Sequence, residues 1–128
     1  NEGMWNIFLV AAGGAVGASL RHIVNGLGVR LVGVGFPWGT MAINIAGSLV
    51  MGLFIELLAR RFNASAELRL LVATGILGGF TTFSAFSLDF ALLWERGDIA
   101  PALGYALASV VGSILALFLG LWLARSFA

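Results

Sequence analysis

Residues 78–87 read GGFTTFSAFS, two glycines followed by phenylalanines alternating with hydroxyl side chains, inside the third of four long apolar runs. A helix weakened by Gly75, Gly78 and Gly79 and then by Thr81 and Thr82 is predicted to break here, near the middle of the run, with the threonine hydroxyls available to freed backbone groups. The run covers about residues 68–93. One straight helix of that length would measure about 39 Å, more than the roughly 30 Å of a hydrocarbon core. A break in a membrane helix presents carbonyls at the end of its first half and amides at the start of its second. The first suits a cation and the second an anion, so the stretch predicts a cation site, an anion site or both near the midplane.

The surrounding composition supports the membrane reading. The chain has 128 residues, of which 60% are hydrophobic and 10% charged, with a mean hydropathy of +1.03, beyond what a soluble domain carries without large apolar patches. Four windows reach the roughly 20 apolar residues a membrane helix needs: about 4–25, 36–59, 68–93 and 99–124. They predict an all-α membrane protein, a single domain of four transmembrane helices with its third helix broken at the centre. The connectors are too short for a soluble domain or nucleotide site, so no enzyme is expected. The opening residues, NEGMWNIFLV, lack the positive region of a cleaved leader, and their apolar run continues beyond a leader's length, so it is read as the first span. Cysteine is absent, which excludes disulfides and thiolate metal sites.

All seven basic residues are arginine. With four spans, Arg60, Arg61, Arg69 and Arg125 fall on one side and Arg21, Arg30 and Arg96 on the other. That is almost no bias, whereas a protein with one orientation shows a Lys/Arg excess in its cytoplasmic loops. Insertion in both orientations follows as an expectation, and with it pairing to an inverted copy. No nucleic acid binding is expected at a net charge of +1, and no polybasic segment points to lipid head groups.

Polar and small residues run in ladders. On the fourth span Gly104, Ala108, Gly112, Ala116 and Gly120 recur every fourth residue as a packing stripe. Tyr105, Ser109 and Ser113 recur beside them. The second span repeats the pattern with Thr40, Asn44 and Ser48. A single Ser or Thr in such a helix usually bonds back to a carbonyl, but an amide such as Asn44 must face protein or water, so two ladders favour a wet or ligand-bearing path. On the first span Gly13 and Gly17 form a GxxxG pair, and Arg21 either snorkels to the interface or opens an anion path. Glu56 and Asp89 lie toward span ends, and His22 is read without a metal role. Phe83 and Phe86, at i and i+3, are either a packing pair or ring edges offering weak positive potential to an anion. Ser84 and Ser87 share a neighbouring face, and Thr82 adds a further hydroxyl.

Taken together, GGFTTFSAFS at 78–87 and GTMAINIAGS at 39–48 resemble the third-helix and second-helix signatures of the Fluc (CrcB) fluoride channels, and the likeness extends over essentially the whole chain. The resemblance implies a dual-topology antiparallel homodimer with two fluoride pores, passive export that lowers cytoplasmic fluoride, a bacterial inner membrane location, and a structural Na+ at the dimer centre. By motif position it implies that Phe83 and Phe86 face fluoride, that Asn44 is the pore asparagine, and that Tyr105, Ser109 and Ser113 form the polar track. The same match implies that the backbone carbonyls of Gly78 and Thr81 hold sodium, and it aligns Arg21 with a first-helix arginine. Ala85 stands where many members carry threonine. The expected fluoride pathway is thus Phe83, Phe86, Asn44, Ser84, Thr82, Thr40, Tyr105, Ser109, Ser113 and Arg21, with fluoride and the lipid bilayer as partners. The alternative is a small dual-topology proton-coupled multidrug transporter, which needs a membrane-embedded first-helix carboxylate. The first span has none before Arg21.

Overall fold

A computed structural model describes residues 2–127. The protein is all-helical among these residues. Four helical stretches are long and apolar enough to cross a membrane, Glu2–Val32, Trp38–Arg61, Ala66–Glu95 and Ile99–Phe127. The first runs past residue 25 into what the sequence assigns to a connector. Gly26 and Gly28 each disfavour a helix by about 1 kcal/mol but retain their backbone donors, so the helix continues until Gly33. There φ turns to +79°, and the Gly33 amide donates to the Val29 carbonyl at 2.9 Å, a glycine termination. Gly97, at φ +92°, closes the third span in the same manner.

The second span is α-helical over Trp38–Phe54 and widens to π winding over Ile55–Arg61. The third begins at Ala66, where the Ser65 hydroxyl caps the Leu68 amide. It passes through a π-wound Leu70–Leu77 and a short turn, Gly78–Phe80. Thr81 and Thr82 then take extended backbone, with ψ of 154° and 126°, before helix resumes over Phe83–Glu95.

The spans pack mainly in two pairs, first against third and second against fourth. Both crossings depend on backbone touching backbone. A Cβ on Gly13 would sit 2.9 Å from the Gly75 Cα, and one on Gly79 would sit 2.7 Å from the Gly14 carbonyl oxygen. Gly13 therefore meets Gly75, while Gly17 lies against the backbone of Ile76 and Phe80. In the other pair, Cβ atoms on Gly52 and Gly120 would strike the Leu117 and Leu49 carbonyls. The fourth-span stripe is used unevenly. Gly120 and Gly112 are in contact with the second span, whereas Gly104 has open space. The core is correspondingly small, with Tyr105 and Ile43 the largest fully buried side chains. Phe8, Leu107, Phe118 and Trp122 are among many large apolar groups left exposed, as expected where lipid tails and not water surround the helices.

Candidate functional site

The interruption at Thr81 and Thr82 reroutes the hydrogen bonds of its own backbone. The Thr81 amide and its Oγ1 both donate to the Leu77 carbonyl, at 3.0 and 2.9 Å. In an uninterrupted helix the Thr82 amide would bond the Gly78 carbonyl. Here it donates instead to Asn44 Oδ1 at 2.8 Å, and Asn44 Nδ2 returns a bond to the Thr82 carbonyl at 3.0 Å. The Ala85 amide, which would serve the Thr81 carbonyl, donates to Thr82 Oγ1 at 3.1 Å as the cap of the second half-helix. The Gly79 carbonyl accepts from Arg21 Nε at 3.2 Å. One residue from each of two other spans therefore braces the interruption, Asn44 and Arg21. The carbonyls of Gly78 and Thr81 lose the amides a continuous helix would give them.

A cavity of about 210 Å³ lies beside the second half-helix, lined by Asn44, Phe83, Phe86, Ser109 and Ser113 together with Val110 and Ile114. Phe83 is 75% exposed and Phe86 is 8% exposed, with ring centroids 5.4 Å apart. Behind Phe86 the Tyr105 ring packs at 5.2 Å, and its hydroxyl donates to Asp89 Oδ2 at 3.1 Å. The Oγ atoms of Ser109 and Ser113 are buried without a hydrogen-bond partner. Such a hydroxyl costs free energy unless something fills its place. Two of them on one face of one helix, opening on one cavity, make that cavity suited to a small polar guest.

A second cavity, of about 330 Å³, includes Asn25, Phe36, Thr40, Asp89 and Arg96 in its lining. Thr40 is buried, with 5% of its surface exposed. Arg96 donates to the Gly35 carbonyl at 2.7 Å and to Asp98 at 2.6 Å, tying the loop after the first span to the turn before the fourth.

The structure thus brings Asn44, Phe83, Phe86, Ser109 and Ser113 around one cavity, with Thr40 on the other and Tyr105 behind Phe86. Arg21 lines neither cavity and faces the interruption. Thr82 is engaged in capping, and Ser84 Oγ sits 3.3 Å from Thr82 Oγ1. Ser87 bonds back to the Phe83 carbonyl at 2.9 Å. Sequence reasoning missed the Asp89 partnership of Tyr105, although the 16-residue separation joins two spans whose polar faces it had identified. It also missed a cluster at the opposite end. There Glu56, 4% exposed, meets Arg60, Arg61 and Arg125 at 3.3, 3.5 and 2.8 Å. The Glu56 and Arg60 spacing of four residues is visible in the sequence, but Arg125 is not.

The family model described as CrcB-like protein, Camphor Resistance (CrcB), matches residues 8–121. The chain belongs to the CrcB-like family. It is 69% identical over 123 residues to a protein of Mesorhizobium japonicum, covering 96% of this chain and 98% of that one. A Chelativorans protein is 63% identical and an Agrobacterium fabrum protein 56% identical, each over the same shares. All three carry the name fluoride-specific ion channel FluC. With four spanning helices, this CrcB-like chain is a multi-pass membrane protein.

Proposed function

We propose that the chain is a fluoride-selective ion channel that exports fluoride passively through the Phe83 and Phe86 cavity. The observation that carries the reading is the pair of unpartnered buried hydroxyls, Ser109 and Ser113, facing the same cavity as Asn44 and the two rings. Fluoride is small and strongly hydrated, so it needs donors to replace its water. Ser109, Ser113 and the amide of Asn44 are donors, and phenyl edges add weak positive potential without a cation in the membrane. The names of the relatives point the same way. Ser84, Thr82, Thr40 and Tyr105 extend the polar path on either side of the rings in this reading, and Arg21 contributes positive potential from its place at the interruption.

The working unit is proposed to be an antiparallel, dual-topology homodimer of a single four-helix domain (residues 1–128), with two pores, in the bacterial inner membrane. Support comes from the balanced arginines and from Phe83, whose ring is largely exposed on one chain and would be covered by a second. The third helix is read as functionally broken at its centre. A structural Na+ at the dimer centre fits the donor set. Gly78 and Thr81 have carbonyls deprived of their usual amides, and Gly78 is exposed on the chain. Neutral oxygen ligands without carboxylates suit a singly charged alkali ion better than calcium or magnesium. When bound, the ion would supply positive potential and satisfy those carbonyls.

The test is anion efflux from liposomes reconstituted with the purified protein. Fluoride should leave down its own gradient and chloride should stay. Fluoride movement that requires a proton or sodium gradient overturns the channel reading.

A further inference from the structure

We propose that Arg60, Arg61 and Arg125, gathered around Glu56, form a binding site for the phosphate of an anionic phospholipid. No polybasic run exists in the sequence. The fold makes one by bringing the end of the second span to the end of the fourth, 69 residues apart along the chain between Glu56 and Arg125. Glu56 is the organising group. Its carboxylate is buried, with Oε1 taking Arg60 Nη1 and Arg125 Nε and Oε2 taking Arg61 Nε. Three guanidiniums that would otherwise repel one another are thereby held around one point. Three positive charges against one negative leave the cluster with an excess of two.

The side chains remain accessible, at 65% for Arg60, 38% for Arg61 and 51% for Arg125. The recorded contacts engage one nitrogen of each, and a guanidinium carries five N–H donors in a fork that matches phosphate oxygens. Because Glu56 already orders the arginines, less side-chain freedom is lost when an anion docks.

Depth in the bilayer selects the source of that phosphate. Arg60 and Arg61 close the second span and Arg125 lies in the last turn of the fourth. Trp122 is exposed about one helical turn before Arg125, and Phe62 and Phe127 are exposed at the same end. Exposed tryptophan marks the membrane interface, so the cluster sits at head-group level with apolar side chains beside it. A lipid supplies both a phosphate and tails for that setting. Neither cavity of the candidate ion path is lined by these arginines, so the site is separate from the pathway.

The experiment is native mass spectrometry of the purified full-length protein in detergent, titrated with short-chain phosphatidylglycerol, with phosphatidylcholine, and with inorganic phosphate. Phosphatidylglycerol should bind more tightly than phosphatidylcholine, and inorganic phosphate at equal concentration should not displace it. Arg60→Gln and Arg125→Gln should each weaken phosphatidylglycerol about fivefold, the expected contribution of one basic side chain near an anionic surface. Arg30→Gln, at the other end of the bundle, should leave it unchanged. Should Arg125→Gln fail to fold, Arg60→Gln decides, because Arg61 and Arg125 still hold Glu56 in that variant. Equal affinity for the two lipids, an Arg60→Gln protein with undiminished preference, or an equal loss in Arg30→Gln overturns the proposal. Displacement by inorganic phosphate overturns the lipid assignment.

Discussion

Replacing Asn44 with leucine, which keeps the branching at Cγ but lacks the amide, removes both bonds to the Thr82 backbone. These are the 2.8 Å bond accepted from the amide and the 3.0 Å bond donated to the carbonyl. At a net value of about 1 kcal/mol per hydrogen bond the loss is about 2 kcal/mol. Interhelical bonds in membranes average nearer 0.6 kcal/mol, which sets a floor of roughly 1.2 kcal/mol. The ceiling comes from stranding one donor and one acceptor at about 1–3 kcal/mol each. Thr82 is only half-buried and close to the cavity, so water can reach part of the freed backbone and the central value is favoured. A shift of about 2 kcal/mol changes the folding equilibrium roughly thirtyfold. Unfolding by denaturing detergent in mixed micelles, followed by tryptophan fluorescence, measures it. If Asn44→Leu unfolds within about 0.5 kcal/mol of the parent protein while flux is lost, Asn44 is a pathway residue only and the bracing argument fails.

Ser109→Ala and Ser113→Ala should behave in the opposite way. Each removes a buried hydroxyl without a partner, so thermal stability should hold or rise slightly while fluoride efflux falls. Phe83→Ile and Phe86→Ile should sharply lower flux per folded protein, because an aliphatic side chain has no ring quadrupole; loss of stability with flux retained would make the rings packing groups. Gly79→Ala should be severe, since its Cβ would lie 2.7 Å from the Gly14 carbonyl oxygen. Gly78→Ala meets nothing nearer than 3.6 Å within the chain, so any large defect in it reports on what lies outside the chain. Exhaustive removal of sodium in detergent should lower both stability and flux, with activity and stability compared after potassium or lithium replacement; unchanged behaviour rejects the central ion and leaves the fluoride path standing.

Much of the fold was legible because lipid imposes simple rules. Runs near 20 apolar residues become spans, and a GxxxG pair such as Gly13 and Gly17 announces a close helix crossing. The partners of those glycines were not legible. Nothing in the spacing says that Gly13 meets Gly75 and not the equally small stripe of the fourth span. That choice is made by the whole bundle, through which helices are adjacent and how each is rotated. The end of the first helix was also misplaced, since Gly26 and Gly28 weaken a helix without ending it, and the positive φ of Gly33 is what terminates it.

The site shows the same division at finer scale. The hydroxyl ladder of Tyr105, Ser109 and Ser113 could be drawn from i+4 spacing, but the lack of a partner for two of its members depends on every neighbouring atom. The sequence left two readings for Arg21, and the structure gives it a contact neither one named, the Gly79 carbonyl. The physical reason is one of backbone accounting. In hydrocarbon each amide and carbonyl freed from a helix must be met, and a short-range motif such as GGFTT shows where groups are freed without showing what meets them. Asn44 and Arg21 answer for Thr82 and Gly79 from two different spans. Gly78 and Thr81 stand out only after that reckoning, because the amides that would have served their carbonyls have been traced to Asn44 and to Thr82 Oγ1. The carbonyls of Gly78 and Thr81 are therefore groups whose partner has to be sought, and the proposed sodium is the candidate that ion removal tests.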